Sequence, residues 1–352
     1  MSNVISLRVP KRRLPLSQRT EALAAIFAGY RRSQDDVFWL KENAEFLNIC
    51  ECTGTQLTPQ ALSEWDAFYD LLTQRLSFFP QYYRFFLSIA LDLEDLGMAG
   101  TQAEASCAWV ARQGLAEAEL SDLQRAEARR LLARRGQNTA AADPGIDDRL
   151  RAFIGRQATF SLPNKKAAYE LTHIVFYLSE YGRRDPMIPE TALRSLEYAG
   201  LLAMLEQNMD LLAEVCVALR YAGQTPSAVW ESQVADSLAA FGVEACEGAP
   251  ADDYHEYLVS VWSALLAGGP ATGLALDIGT CRFTKPSAAE GPLRTMSSVL
   301  MDLDRARSGN WQQMRHMLYD VVDADGQFIL QAAENSTPHF EDFFEGFARA
   351  RA

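Results

Sequence analysis

The fold class is decided by the stretch YELTHIVFYLSEYG, residues 169–182. Drawn as a helix, it carries apolar side chains on nearly every face. A helix that is apolar almost all round is buried on all sides, which requires other helices around it. Gly182 then ends the stretch as a glycine in the left-handed conformation ends many helices. The stretch therefore predicts a buried helix inside an all-α protein.

Four more glycines follow strongly helical runs: Gly97, Gly136, Gly223 and Gly268. Successive glycines of the five are 39, 46, 41 and 45 residues apart, the length of a helix pair with its two loops. Buried and amphipathic helices alternate, which predicts stacked helix pairs in an α/α toroid or an α-solenoid-like array. The alternative is an irregular helical domain, because no residue-level repeat motif accompanies the spacing.

Composition predicts four segments along the chain. Residues 1–16 are basic but lack a following apolar stretch, which predicts a disordered tail rather than a signal peptide. Residues 17–136 form an N-terminal helical lobe, and residues 146–268 form a central helical lobe with the candidate pocket. The small, polar stretch 137–145 separates them, although the glycine spacing runs through it and favours one continuous domain. Residues 269–352 predict a loop-rich C-terminal segment with a terminal helix.

One short β-hairpin is expected near the C-terminus, formed by residues 317–322 and 327–331. The connecting Asp323-Ala324-Asp325-Gly326 resembles the middle of a calcium loop. With Gly326 at position 6, however, positions 1 and 12 are Val321 and Ala332, which offer no side-chain ligand. The segment is therefore interpreted as a tight turn.

The charge balance excludes several partners. The 352 residues include 33 basic and 46 acidic side chains, for a net charge of −13. Such a chain repels nucleic-acid phosphates and anionic membrane surfaces, and no apolar run reaches the ~18 residues of a transmembrane helix. The six cysteines are scattered and no export signal precedes them, which predicts reduced thiols in the cytoplasm. Only five of the basic residues are lysines, a bias typical of GC-rich bacterial genes.

His173 is the most informative of the four histidines. With Tyr169, Tyr177 and Glu180 it forms one polar stripe on an otherwise apolar helix. Buried imidazole and phenol groups cost ~1–3 kcal/mol each when they lack hydrogen-bond partners. The sequence therefore requires polar groups on neighbouring helices. A core histidine that bonds Glu214 or a tyrosine would satisfy this requirement without any activity.

A functional site arises if the next two apolar helices converge on His173. Its catalytic residues would be His173, Glu214 and His255, with His173 in acid–base chemistry and Glu214 orienting it. A metal would be held by His173, His255 and Cys216. The surrounding pocket would be lined by Tyr169, Tyr177 and Tyr254. His255 lies in the first turn of its helix, where the helix dipole favours a neutral imidazole.

Residues 169–182 and Tyr254–Val259 resemble stretches of uncharacterised all-helical bacterial proteins of unknown function. The resemblance implies a helical fold and pairs His173 with His255, but implies no activity. Two functions stay open. The first is a soluble helical ligand-binding or protein-interaction scaffold, whose partner is a small molecule or a protein. The alternative is a metal-dependent or acid/base enzyme using the predicted site; the sequence identifies no cofactor.

Overall fold

The computed structural model describes residues 16–137, 143–248, 251–269, 276, 278–286 and 290–350. Residues 1–15 of the predicted tail and 138–142 of the predicted linker lie outside the described residues. The described chain is mostly helical, which confirms the all-α fold class. None of its described helices combines the length and the apolar character needed to cross a bilayer.

The helices of the N-terminal third are α1 (Leu16–Ala25), α2 (Val37–Cys52), α3 (Pro59–Leu62), α4 (Asp66–Asp70), α5 (Leu72–Phe78), α6 (Tyr83–Asp95), α7 (Gln102–Gln113) and α8 (Asp122–Ala133). The central helices are α9 (Ile146–Ile154), α10 (Gln157–Phe160), α11 (Lys165–Leu178), α12 (Glu190–Glu206), α13 (Met209–Tyr221), α14 (Ala228–Ala239) and α15 (Tyr254–Leu266). The last helices are α16 (Leu293–Leu303), α17 (Trp311–Val321), α18 (Ala324–Glu334) and α19 (Phe340–Ala348). A π-helical turn, Ile26–Tyr30, and three 3₁₀ turns, Ser63–Trp65, Pro80–Tyr82 and Asp304–Ala306, complete the helical segments.

Helix α13 is surrounded by other helices. It packs against α11, α12, α14 and α15, and every residue from Leu211 to Leu219 is buried. Asn208 starts the helix, since its side chain accepts a hydrogen bond of 3.2 Å from the Leu211 amide. A polar side chain in so enclosed a helix needs partners on its neighbours. Glu214, in the middle of α13, is such a side chain.

The glycine-capped helices supply much of the core. All five predicted glycine caps have positive φ angles. Gly97, Gly223 and Gly268 stand two residues after the last residues of α6, α13 and α15, which confirms these three caps. Gly136 stands three residues after α8, and Gly182 stands four residues after α11, which ends at Leu178; the prediction that Gly182 ends this helix is therefore wrong. One hydrophobic cluster extends from Ala22 to Ala348 and includes residues of both predicted helical lobes and of the predicted C-terminal segment.

The described β-structure consists of strands β1 (Gly242–Ala245) and β2 (Cys281–Thr284), which pair antiparallel. The hairpin predicted at residues 317–331 is therefore wrong, because those residues lie in α17 and α18. The physical reason is a helix cap. The Asp323 side chain accepts a 2.8 Å hydrogen bond from the Gly326 amide, so that the supposed turn starts α18.

A buried arginine joins the N-terminal helices to β2 and to the start of α15. Arg31 is 1% exposed. Its Nε lies 2.8 Å from Glu42 on α2, and its Nη1 lies 2.9 Å from Asp252. The same Nη1 donates to the Cys281 carbonyl at 2.8 Å. Asp252 also accepts a 2.6 Å hydrogen bond from the Phe283 amide. These contacts fix the segment that leads into His255.

Candidate functional site

Four helices bring two histidines and three carboxylates together. Glu45 comes from α2, His173 from α11, Asp210 and Glu214 from α13, and His255 from α15. His173 Nδ1 lies 3.7 Å from one oxygen of Glu214, and His255 Nε2 lies 3.7 Å from the other. The structure thus brings the three predicted catalytic residues together around one carboxylate.

Glu214 is the buried centre of this cluster. It is 2% exposed, and its Oε2 accepts a 2.5 Å hydrogen bond from the Thr172 hydroxyl. Burial alone would raise the pKa of Glu214, but His173, His255 and Thr172 outweigh it and hold that pKa below the usual value. The carboxylate is therefore ionised and able to bind a cation or to orient an imidazole.

One ring nitrogen of His173, Nε2, has no hydrogen-bond partner among the described residues. Its Nδ1 lies 2.8 Å from the Tyr169 carbonyl one turn earlier. Because a carbonyl oxygen only accepts hydrogen bonds, Nδ1 carries a proton and donates it there. Nε2 is then the nitrogen available to a substrate or a metal. The side chain is 36% exposed and lines a cavity, which gives such a partner access.

His255 is surrounded by carboxylates. Its Nδ1 lies 3.1 Å from Glu45, and its Nε2 lies 3.4 Å from Asp210. Burial lowers the pKa of His255, but Glu214, Glu45 and Asp210 outweigh it and raise the pKa to about 11. The expectation of a neutral His255 from the helix dipole is therefore wrong, because three nearby full charges exceed the partial charge of a helix end.

Asp210, Glu214 and His255 form a candidate metal centre. One ligand atom from each lies within 4.8 Å of the others. Since His255 Nε2 lies 3.4 Å from Asp210 and 3.7 Å from Glu214, an ion equidistant from the three atoms is roughly 2.0–2.4 Å from each, the length of metal bonds to histidine nitrogen and carboxylate oxygen. Asp210 Oδ1 is buried and accepts no hydrogen bond in the described part of the chain. Its other oxygen accepts one of 2.9 Å from Tyr169, which orients the carboxylate.

The pKa of Asp210 is shifted by burial and by the neighbouring charges of Glu214 and His255. Burial raises the pKa of Asp210 to about 6, the negative charge of Glu214 acts in the same direction, and His255 opposes both.

A cavity of about 280 Å³ adjoins the cluster. Glu45, His173, Glu214 and His255 line it together with side chains from α6 and α8. Its aromatic lining consists of Tyr82, Phe85, Phe176, Tyr177, Tyr181 and Trp262. A volume near the lower limit of ordinary ligand pockets suits a small organic molecule.

Three of the residues predicted for the site do not line this cavity. Cys216 is fully buried two positions after Glu214, about 200° around the helix, so it faces away from the cluster. Burial raises the pKa of its thiol, which disfavours the thiolate that binds metals. The Tyr254 ring packs on Arg31, with its centroid 5.1 Å from the guanidinium carbon. Tyr169 acts on the site through Asp210, whereas Tyr177 does line the cavity.

Sequence reasoning missed Glu45, Asn48 and Asp210 as site residues. Asp210 stands four residues before Glu214, so both lie on one face of α13, and that spacing was a usable signal. Glu45 and Asn48 lie three residues apart on α2 and share a face in the same way. Their approach to α15 is a tertiary contact that the sequence pattern does not contain.

A protein-family model described as "Domain of unknown function (DUF6902)" matches residues 1–350, and the chain belongs to this family. The resemblance to proteins of unknown function is thereby confirmed. No curated protein and no solved structure matches the chain significantly.

Proposed function

We propose that this member of the DUF6902 family is a metal-dependent enzyme that acts on a small organic molecule. Asp210, Glu214 and His255 would hold a divalent transition-metal ion beside the cavity, and the ion would displace the proton that His255 Nε2 carries in its absence. The observation that carries the proposal is the donor set itself, with one ligand atom from each residue within 4.8 Å of the others. The adjoining cavity supplies a place for a substrate.

The donor chemistry favours a first-row transition metal. One imidazole and two carboxylates suit zinc, iron or manganese better than calcium, which prefers oxygen ligands alone. Three protein ligands leave coordination positions open for water or substrate, as catalytic centres require. Such an ion lowers the pKa of a bound water or polarises a substrate oxygen.

His173 has one of two roles beside this centre. Its Nδ1 bonds the Tyr169 carbonyl, and its Nε2 bonds nothing in the described parts of the chain. As a fourth ligand, Nε2 would bind the metal; as a general base, it would accept a proton from a substrate in the cavity. Thr172 and Tyr169 are positioning residues, because they hold Glu214 and Asp210 through hydrogen bonds.

A non-catalytic ligand-binding protein is the second candidate. Both ring nitrogens of His255 already face carboxylates, so that the cluster is ion-paired without a metal. In that case the same cavity would hold a small molecule and no ion would bind.

Metal binding separates the two candidates. Chelator-treated full-length protein is dialysed against Zn²⁺, Mn²⁺ or Co²⁺ at pH 7, and bound metal is measured by elemental mass spectrometry. We expect one ion per chain, and Co²⁺ should add visible absorption bands. Asp210→Asn and His255→Gln should each weaken binding by tenfold or more.

The matched control is His339→Gln. His339 also lies near two carboxylates, 3.8 Å from Glu197 and 3.7 Å from Asp342, but outside the metal cluster. This variant should bind metal normally. His173→Gln then assigns the role of His173, because loss of metal indicates a ligand and retained metal indicates a base. No uptake by folded wild-type protein would refute the metal proposal and leave the ligand-binding candidate.

A further inference from the structure

Asn48 is a buried amide with no partner among the described residues. It is 8% exposed, lies on α2 one turn after Glu45, and lines the cavity. The Tyr177 hydroxyl also lacks a hydrogen bond there, and Tyr177 is likewise 8% exposed. The polar atoms of these two side chains are not among the fully enclosed atoms without a partner, so they reach the cavity and water can bond them there. A ligand that displaces this water has to supply hydrogen bonds of its own, since a polar group left without a partner costs ~1–3 kcal/mol.

One wall of the cavity is a set of aromatic rings in mutual contact. Tyr181 and Trp262 are stacked with centroids 5.8 Å apart and planes 25° from parallel. Phe176 lies 4.9 Å from Trp262. The indole nitrogen of Trp262 donates a 3.1 Å hydrogen bond to Tyr221, which fixes the ring. A preformed aromatic wall favours a flat ring that stacks or packs edge-to-face on it.

The charges that line the cavity are paired. Outside the candidate metal ligands, each lysine, arginine or glutamate of the lining has an oppositely charged partner that also lines it. The pairs are Lys41–Glu45 at 3.7 Å and Arg84–Glu127. A divalent ion at the candidate metal centre would be balanced by the two carboxylates of Asp210 and Glu214. The lining therefore offers no net charge to offset the desolvation of an ionic ligand.

We propose that the cavity binds an uncharged, planar aromatic molecule that carries an amide-like hydrogen-bonding edge. The ring would pack on the wall of Phe176, Tyr181 and Trp262. The amide-like edge would pair with Asn48, whose side chain offers two donors and one acceptor. A bicyclic ring with one such group suits a cavity of about 280 Å³. The proposal names the substrate class of the proposed enzyme and rests on the small-molecule part of that function.

The test uses four probes of nearly equal size. They are naphthalene-2-carboxamide, 2-naphthoate, 2-naphthylmethylammonium and decahydronaphthalene-2-carboxamide. Binding to chelator-treated full-length protein is measured by isothermal titration calorimetry. The aromatic amide should bind at least tenfold more tightly than the anion, the cation and the saturated amide. Asn48→Leu, which is nearly isosteric, should lose about tenfold in affinity for it. Asn335→Leu, at an exposed position outside the cavity, is the control.

Equal affinities for the four probes, or no binding of the aromatic amide, would overturn the proposal. So would normal binding by Asn48→Leu. If circular dichroism shows that Asn48→Leu is unfolded, Asn48→Asp takes its place and should weaken the aromatic amide as well. Metal uptake without amide binding refutes only this substrate class. Amide binding by a protein that takes up no metal keeps the substrate class and refutes the metal proposal.

Discussion

Replacing Arg31 by methionine should destabilise the protein far more than an ordinary arginine substitution. Methionine keeps much of the volume but removes the charge and all five hydrogen bonds that the guanidinium donates to Glu42, Asp252 and the Cys281 carbonyl. The side chains of Glu42 and Asp252 are each 1% exposed, so water does not replace the lost partner. Two buried carboxylates are then left with fewer donors.

The expected loss of stability depends on which hydrogen bonds Glu42 and Asp252 keep once Arg31 is replaced. Breaking a buried ion pair by removing one partner costs about 3–5 kcal/mol. Arg32 still reaches Glu42 at 2.5 Å, and the Phe283 amide still reaches Asp252 at 2.6 Å, which places the expected cost within that range and not above it. Since domains are stable by roughly 5–15 kcal/mol, this loss is a large fraction of the total.

Urea unfolding, followed by circular dichroism, measures this cost, because urea does not screen ion pairs as guanidinium salts do. Arg282→Met is the control; its partner Glu244 is 57% exposed, and the expected loss is below about 1 kcal/mol. The double variant Arg31→Met/Asp252→Asn should lose less free energy of unfolding than the two single variants lose together, because Asp252→Asn removes one of the charges that Arg31→Met leaves unpaired. A loss below about 1 kcal/mol for Arg31→Met would refute the reasoning.

Two further substitutions test other parts of the fold. Burial would raise the pKa of Glu334, but Arg315 and two aromatic hydrogen-bond donors outweigh this effect and lower the pKa. The contribution of ionised Glu334 to the free energy of unfolding is therefore complete above about pH 4.3, and it is lost as the pH falls through the lowered pKa. Glu334→Gln should therefore cost about 1–2 kcal/mol at pH 7, with a gap to wild type that closes in acid during urea unfolding. Gly291→Ala places a Cβ 2.1 Å from the Leu205 carbonyl oxygen and should lower the melting temperature in calorimetry, whereas Gly29→Ala, with no atom within 4 Å, should change it little.

Sequence patterns predicted the helices well where burial and caps agree. The stretch around His173 is apolar on almost every face, and α11 is buried along most of its length. The glycine spacing located the ends of α6, α13 and α15 to within two residues, whereas α8 and α11 end three and four residues before their glycines. The error at residues 317–331 arose because an aspartate before a glycine is typical of both a turn and a helix N-terminus. Leu318 on α17 and Leu330 on α18 are buried, and this burial, which favours the helices, is visible only in the folded protein.

The site was predictable up to the point where helices must be oriented. A histidine and a glutamate on apolar helices require polar partners, which selected His173 and Glu214. The packing of the helices decides which face of α13 contacts α11 and α15. This packing places Asp210 in the cluster and Cys216 outside it. The raised pKa of His255 depends on Glu214 and also on Glu45, which is 210 residues away in the chain.

Two ion clusters, one around Arg31 and one around Glu214, differ in burial and geometry, and the difference favours a functional role for the cluster around Glu214. Around Arg31 the side chains are almost completely enclosed, and each carboxylate has short hydrogen bonds. Around Glu214, the side chains of His173 and His255 are 36% and 30% exposed, and the ion-pair distances reach 3.7 Å. One oxygen of Asp210 accepts no hydrogen bond from any residue that the structure describes. Buried ion pairs contribute little net stability even when their geometry is good. The cluster around Glu214 is costly to bury, has an oxygen without a hydrogen bond among the described residues, and is open to a cavity. These properties favour the binding of an ion or a ligand over a role in stabilising the fold.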